Sequence, residues 1–218
     1  MPALIFDVDG TLAETEELHR QAFNRAFADH SVGWQWDETL YRDLLKVTGG
    51  KERILAYAEG RGGMALPDAA RLHAAKTRHY VEAVDGGRLS LRPGIAALIA
   101  EARRRGVALA IATTTSRDNV DSLLAHTLGV DHGFDVIACG DMVPAKKPAP
   151  DIYELAMQML GMPPGECLAI EDSANGLRAA KAAGLRCVVT PALYTAADDF
   201  TGADIIVDGP LDLSLIHI

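Results

Sequence analysis

Asp7 and Asp9 stand two residues apart behind the apolar run Ala3 to Phe6, so both carboxylates can face the same side of an extended chain. Gly10 lets the chain turn behind them. Three more polar groups stand after apolar runs: Thr113, the pair Glu171-Asp172, and Lys147 in a loop just before Pro148. Carboxylates converging on one point repel unless a cation sits among them. All-oxygen ligands select a hard ion, Mg2+ rather than zinc. With a lysine and a hydroxyl beside it, such a site suits a phosphoryl group, whose spread negative charge needs cations and donors. A carboxylate there can also attack phosphorus and become an aspartyl-phosphate.

The elements that must position these residues are legible as short apolar runs at Ala3–Phe6, Val107–Ala112, Val136–Cys139, Cys167–Ile170, Cys187–Thr190 and Ile205–Val207. Between them lie helical patterns. Ile95, Leu98, Ile99 and Ala102 keep the i, i+3, i+4, i+7 spacing after Pro93-Gly94, and further helices are predicted over Arg117–Leu128, Pro150–Leu160 and Ala174–Ala183. Continuous apolar strands alternating with amphipathic helices predict an α/β fold with a doubly wound, Rossmann-like parallel sheet. Ligands of such sheets bind beyond the carboxyl ends of the strands, where the polar groups stand. One region breaks the alternation. Helices are predicted over Thr15–His30, Glu38–Val47, Lys51–Glu59 and Pro67–Val84, with no strand-like run among them. The expected division is a core of residues 1–13 and 88–218 with an inserted α-helical cap of residues 14–87. Trp34 and Trp36 are expected in the core of the cap.

Composition narrows the function classes. The 218 residues carry 21 Lys+Arg against 30 Asp+Glu, a formal charge of −9, with 49% hydrophobic and 23% charged residues. That is a globular composition, and its acidity argues against nucleic-acid or basic membrane-surface binding. No run approaches the roughly 20 apolar residues of a membrane span. The start Met1-Pro2-Ala3-Leu4-Ile5-Phe6-Asp7 has no basic segment and two early aspartates, so it is not read as a signal peptide. Cys139, Cys167 and Cys187 are odd in number and sit in apolar contexts, which predicts buried thiols and a cytoplasmic protein. No nucleic-acid or membrane partner is expected, and the chain is expected to be a monomer. The apolar tail 213–218 is assigned no function.

Each motif taken singly has a bland reading. An Asp-x-Asp is usually a turn, Lys146-Lys147 a solvated pair, and Glu171-Asp172 a helix cap favoured by the helix dipole. Their joint occurrence at successive strand ends favours chemistry.

Asp7-Val8-Asp9-Gly10-Thr11-Leu12, Thr113, Lys147-Pro148 and Glu171-Asp172-Ser173 resemble, in order, the four motifs of the haloacid dehalogenase superfamily of phosphohydrolases. The resemblance spans nearly the whole chain and includes a helical cap between the first and second motifs. It implies that Asp7 is the nucleophile and that Asp9 acts first as acid and then as base. Thr113 and Lys147 would hold the transferred group. Asp7, the Asp9 carbonyl, Asp172 and, in support, Glu171 would bind Mg2+. Further stretches narrow it: 13–19, 48–53, 73–76 and 113–119 are similar to the CbbY-type sugar phosphatases of Calvin-cycle organisms. Those enzymes remove the 1-phosphate of xylulose-1,5-bisphosphate, a Rubisco inhibitor. The implied contacts are Glu16 and His19 for sugar hydroxyls, with Gly49, Gly50, Lys51, Glu52, Arg53, His73 and Lys76 for the distal phosphate. The motif around Thr113 adds Thr114, Thr115, Ser116, Arg117 and Asn119. A glycine-flanked helix start followed by Lys and Arg is also, on physical grounds, a good phosphate cradle. For His73 and Lys76, three apart on one helix face, a solvated face competes with the ligand role.

Two rivals share features. A β-phosphoglucomutase-like isomerase has the same core, cap and aspartyl-phosphate, but Thr11 and the 48–53 stretch favour hydrolysis. A response-regulator receiver domain also gathers Asp, Thr and Lys around Mg2+. Its phosphorylated Asp comes after the acidic pair, which does not match here.

Overall fold

The computed structural model describes residues 3–61 and 68–211. The predicted helix start at Pro67, the readings of Met1-Pro2 and the tail 213–218 lie outside them. Six strands form one parallel sheet: β1 Ala3–Phe6, β2 Ala108–Ala112, β3 Val136–Ala138, β4 Cys167–Glu171, β5 Arg186–Val189 and β6 Ile205–Ile206. Their order is β3-β2-β1-β4-β5-β6. The α/β doubly wound, Rossmann-like class is therefore as the apolar runs predict. The sixth run makes a strand of only two residues, because its position at the sheet edge leaves one side unpaired.

The chain runs outward from β1 to β2 and β3, then returns to place β4 on the other side of β1. The order reverses at the β1/β4 junction, and ligands of open α/β sheets bind at such a crevice. Side chains of the strands alternate between the two faces. Leu4, Phe6, Leu109 and Ile111 pack with Ile95, Leu98 and Ile99 of α5 (Ile95–Arg104) and with Val120 and Leu124 of α6 (Arg117–Thr127). Ile5, Ala110 and Ala169 face Ile152, Tyr153 and Met157 of α7 (Asp151–Leu160) and Leu177 of α8 (Ala174–Ala182). Burial on both faces is why these strands read as continuous apolar runs.

Between β1 and α5 come four helices: α1 Glu16–Asp29, α2 Glu38–Leu44, α3 Gly50–Glu59 and α4 Ala69–Asp85. They have apolar clusters of their own. Phe23, Phe27, Trp34, Trp36, Tyr41, Ile54 and Leu72 form one, and Leu18, Ala22, Tyr80 and Val84 another. Both tryptophans are buried in the first cluster, as expected. The three cysteines are free and buried.

Candidate active site

The strand ends bring the predicted core residues to one place. Asp7 follows β1, its N–H held by the Ile170 carbonyl of β4 at 2.9 Å. Lys147 reaches the site from the loop after β3. It donates to Asp7 Oδ1 at 2.6 Å, Glu171 Oε1 at 2.6 Å and the Ala112 carbonyl at 2.9 Å, so all three ammonium protons have acceptors. Lys147 is 4% exposed. Burial alone would lower its proton affinity, but the two carboxylates overcome it and raise the pKa further. Tyr153 of α7 completes the group, donating to Glu171 Oε1 at 2.5 Å with its ring 5.0 Å from Lys147 Nζ.

Asp7, Glu171 and Asp172 offer carboxylate oxygens all within 4.8 Å of one another. Burial raises the Asp7 pKa to about 8. The Glu171 and Asp9 carboxylates push it the same way, and Lys147 pulls it down. Asp172 is raised well above the usual range by burial and then by the other two acids, while a bond from the Thr195 hydroxyl opposes the rise. Lys147 bonds two of these three buried carboxylates, and their oxygen-only donor set fits a hard cation. Gly10 is required beside them. Its φ is +83°, and a Cβ there would stand 2.2 Å from Asp172 Oδ2. Gly176 answers the same need on α8, where a Cβ would overlap Glu171 Oε2.

The Asp9 carboxylate stands outside this cluster. Its Oδ1 accepts from Thr15 at 2.6 Å and pairs with His19 Nε2 at 2.9 Å. Burial opposes its ionisation, yet His19, Thr15 and Lys76 hold its pKa well below the usual range. His19 is itself pushed down by burial and by Lys76, and because an ionised carboxylate only accepts, Nε2 is the donor of this bond. The ring stacks on Tyr80 at 4.1 Å.

A cavity of about 910 Å³ opens over these groups. Its far wall belongs to the helical segment and carries Glu16, His19, Gly49, Gly50, Lys51, Glu52, Arg53, His73 and Lys76. Lys76 is 4% exposed, with Nζ over the rings of Phe23 and Tyr80 and, among the described residues, no carboxylate bonded to it. Burial lowers its pKa to about 8 against the pull of Asp9 and Glu16. Burial, then Lys76 and Lys51, takes His73 down to about 3. Lys76 is thus buried rather than on a solvated face, and His73, half-buried, lines the cavity. Arg53 gives Nε to the Leu44 and Val47 carbonyls and Nη1 to the Tyr41 hydroxyl, which donates to Glu16 Oε2 at 2.9 Å. The two walls touch where Thr48 donates to the Lys147 carbonyl and Asn175 Nδ2 to the Lys46 carbonyl, the latter at 3.1 Å.

Residues 113–119 divide between the cavity wall and its surroundings. Thr114, Thr115 and Ser116 line the cavity, but Arg117 and Asn119 do not. Arg117 turns outward to Asp121, four residues on along α6, at 2.7 Å. Asn119 is buried behind the loop and donates to the Thr115 hydroxyl at 2.9 Å, a supporting contact. Thr113 is buried below the surface of the cavity, its hydroxyl accepting the Thr115 N–H at 3.2 Å. Glu171 lies deeper still, held by Lys147 and Tyr153. The residues that sequence reasoning misses are Tyr153, Asn175, Tyr194 and Thr195.

A sequence profile of haloacid dehalogenase-like hydrolases matches residues 1–184. The chain belongs to that family. This haloacid dehalogenase-like hydrolase is a phosphatase, and its relatives are of the CbbY type. CbbY of Rhodobacter capsulatus is 56% identical over 207 residues, covering 94% of this chain and 91% of its own. The crystal structure of CbbY from Rhodobacter sphaeroides in complex with phosphate is 54% identical. It superposes with a TM-score of 0.92 over 96% of this chain and 95% of that one. A mutant of the same protein, in complex with xylulose-(1,5)bisphosphate, gives the same identity, coverage and TM-score.

Proposed function

We propose that the protein removes the 1-phosphate of xylulose-1,5-bisphosphate, leaving xylulose-5-phosphate, by way of an aspartyl-phosphate on Asp7. The observation that carries this reading is the pairing of two unlike anion sites across one cavity. One wall sets Lys147 beside Asp7. The other presents Lys76, which has no carboxylate hydrogen-bonded to it among the described residues, with His73 on the same wall. A sugar with a phosphate at each end matches that spacing of charge, and the CbbY complexes with phosphate and with the bisphosphate support it. In this reading residues 14–87 are a cap that closes on a core of residues 1–13 and 88–218.

Asp7 attacks phosphorus in line with the departing sugar oxygen, and Asp9 gives that oxygen its proton. His19, Thr15 and Lys76 favour the ionised form of Asp9, and approach of the anionic phosphoryl group raises its proton affinity so that it can carry the proton. Thr15 and His19 hold its carboxylate in place while it waits. Lys147 sets its positive charge beside the transferred group. Water then attacks the aspartyl-phosphate, Asp9 takes its proton, and phosphate leaves. Mg2+, held by Asp7, Asp172 and the Asp9 carbonyl, would offset charge on the phosphoryl oxygens. Glu171 supports the site through Lys147. Glu16, with His19 beside it, faces the sugar hydroxyls.

Phosphate release from xylulose-1,5-bisphosphate with Mg2+, beside ribulose-1,5-bisphosphate and β-glucose-1-phosphate, tests this. Fast release from the xylulose compound alone is expected. An isomerised sugar phosphate in place of free phosphate would make the protein a mutase. Turnover of a different sugar phosphate alone would retain the core mechanism and overturn the cap reading.

A further inference from the structure

The loop after β5 makes contacts in two directions. Tyr194 is buried among the aromatic side chains of the helical segment, its ring edge-on to Tyr41 at 5.8 Å. Its hydroxyl donates to Glu17 Oε2 of α1 at 2.6 Å. The next residue faces the opposite way. The Thr195 hydroxyl donates to Asp172 Oδ2 at 2.9 Å and accepts the Ala192 N–H at 3.0 Å. The loop is also held where the chain crosses between sheet and helical segment. The Leu193 N–H points at the Glu14 carboxylate at 3.3 Å, and Arg92 Nη2 donates to the Pro191 carbonyl at 2.8 Å. Glu14 and Arg92 stand at the two crossings and lie 3.5 Å apart.

We propose that Tyr194 and Thr195 are positioning residues that couple the placement of the cap to the orientation of the Asp172 carboxylate. This rests on the reading of Asp172 as a ligand of Mg2+. The path is short: a displacement of α1 pulls on the Tyr194 hydroxyl, and the adjoining backbone carries the pull to the Thr195–Asp172 bond. Coupling of this kind is reciprocal, so a cation on Asp172 favours the closed cap as much as closure favours the cation. Neither residue touches the reacting atoms.

Calorimetric titration of Mg2+ into the full chain, without substrate, reads the coupling directly. Thr195→Val is expected to weaken Mg2+ because Asp172 loses a bond that orients it. Tyr194→Phe keeps the ring and removes only the contact with α1. It is expected to weaken Mg2+ by about 5- to 10-fold, within the usual span of site-to-site coupling. Glu17→Ala breaks the same bond from the helical side, so the double variant should lose no more than either single one. That keeps the test intact should one variant fold poorly, which melting would reveal. Wild-type Mg2+ affinity in folded Tyr194→Phe and Glu17→Ala would overturn the proposal. A different result, unchanged affinity in Asp172→Asn, would instead overturn the metal reading on which it rests.

Discussion

The two walls of the cavity treat charge in opposite ways. On the sheet side, Lys147 has all three of its protons bonded, and Glu171 is clasped by Lys147 and Tyr153. On the helical side, Lys76 is buried over the rings of Phe23 and Tyr80 with no acid hydrogen-bonded to it among the described residues. A saturated network holds its geometry whatever substrate is present, and preorganised charge of that kind serves a reaction common to many substrates. An unpaired buried cation is costly until an anion arrives, so it reads the part of the substrate that does not react. The difference teaches that chemistry and selectivity are built from the same residue types and separated by whether the charges already have partners.

The sharpest way to break that division is at the nucleophile. Asp7→Asn should lower phosphate release by at least about 10³-fold, with the fold retained by circular dichroism. Retained release would remove Asp7 from its role. On the other wall, Lys76→Met should raise KM for the bisphosphate by about 10- to 100-fold with a smaller change in kcat. A charge-assisted hydrogen bond is worth about 1.5–3 kcal/mol. The loss should vanish for a substrate with no second phosphate, and an equal loss for both would dissolve the distinction between the walls.

A milder effect concerns stability. With no cation bound, the folded chain holds the Asp7 proton more tightly than the unfolded chain, its pKa raised from 3.8 to about 8. That contribution is complete below pH 3.8 and is lost as pH rises towards about 8. Mg2+ competes with the proton, so the gain in Tm on adding it should grow across that window. A gain that is flat with pH would show that the acidic cluster is not where the ion binds. The smallest effect is at Arg117. Its exposed pair with Asp121 faces away from the cavity, and Arg117→Ala should leave KM within about 2-fold of wild type. A large rise would return it to the substrate site.

Much of the core was legible because its signals are local. Apolar runs of four to six residues in the sequence mark the longer strands, and the polar residues that follow them stand at strand ends by necessity. The supporting residues are harder to see, because their partners are distant in sequence. Tyr153 meets Glu171 from 18 residues away, and Tyr194 meets Glu17 from 177. Tyr153 also sits on the apolar face of an amphipathic helix, where it reads as ordinary core. Arg117 is instructive. The resemblance over 113–119 implies a substrate contact, whereas an acid four residues on favours the intrahelical pair found in the structure. Asn119 shows the same limit, since a motif gives position along the chain and not which side of the helix faces the ligand.

The indole side chains offer a last consequence. The chain has two tryptophans, Trp34 and Trp36, and both lie within the aromatic cluster of the helical segment. Intrinsic fluorescence excited at the indole band is therefore blind to the sheet, whereas far-ultraviolet dichroism weighs every helix. Followed together in denaturant, the two signals form an internal test of cooperativity. Coincident curves would mean that the segment and the sheet unfold as one unit. An earlier fluorescence transition would mean that the lid melts from a platform that is still folded.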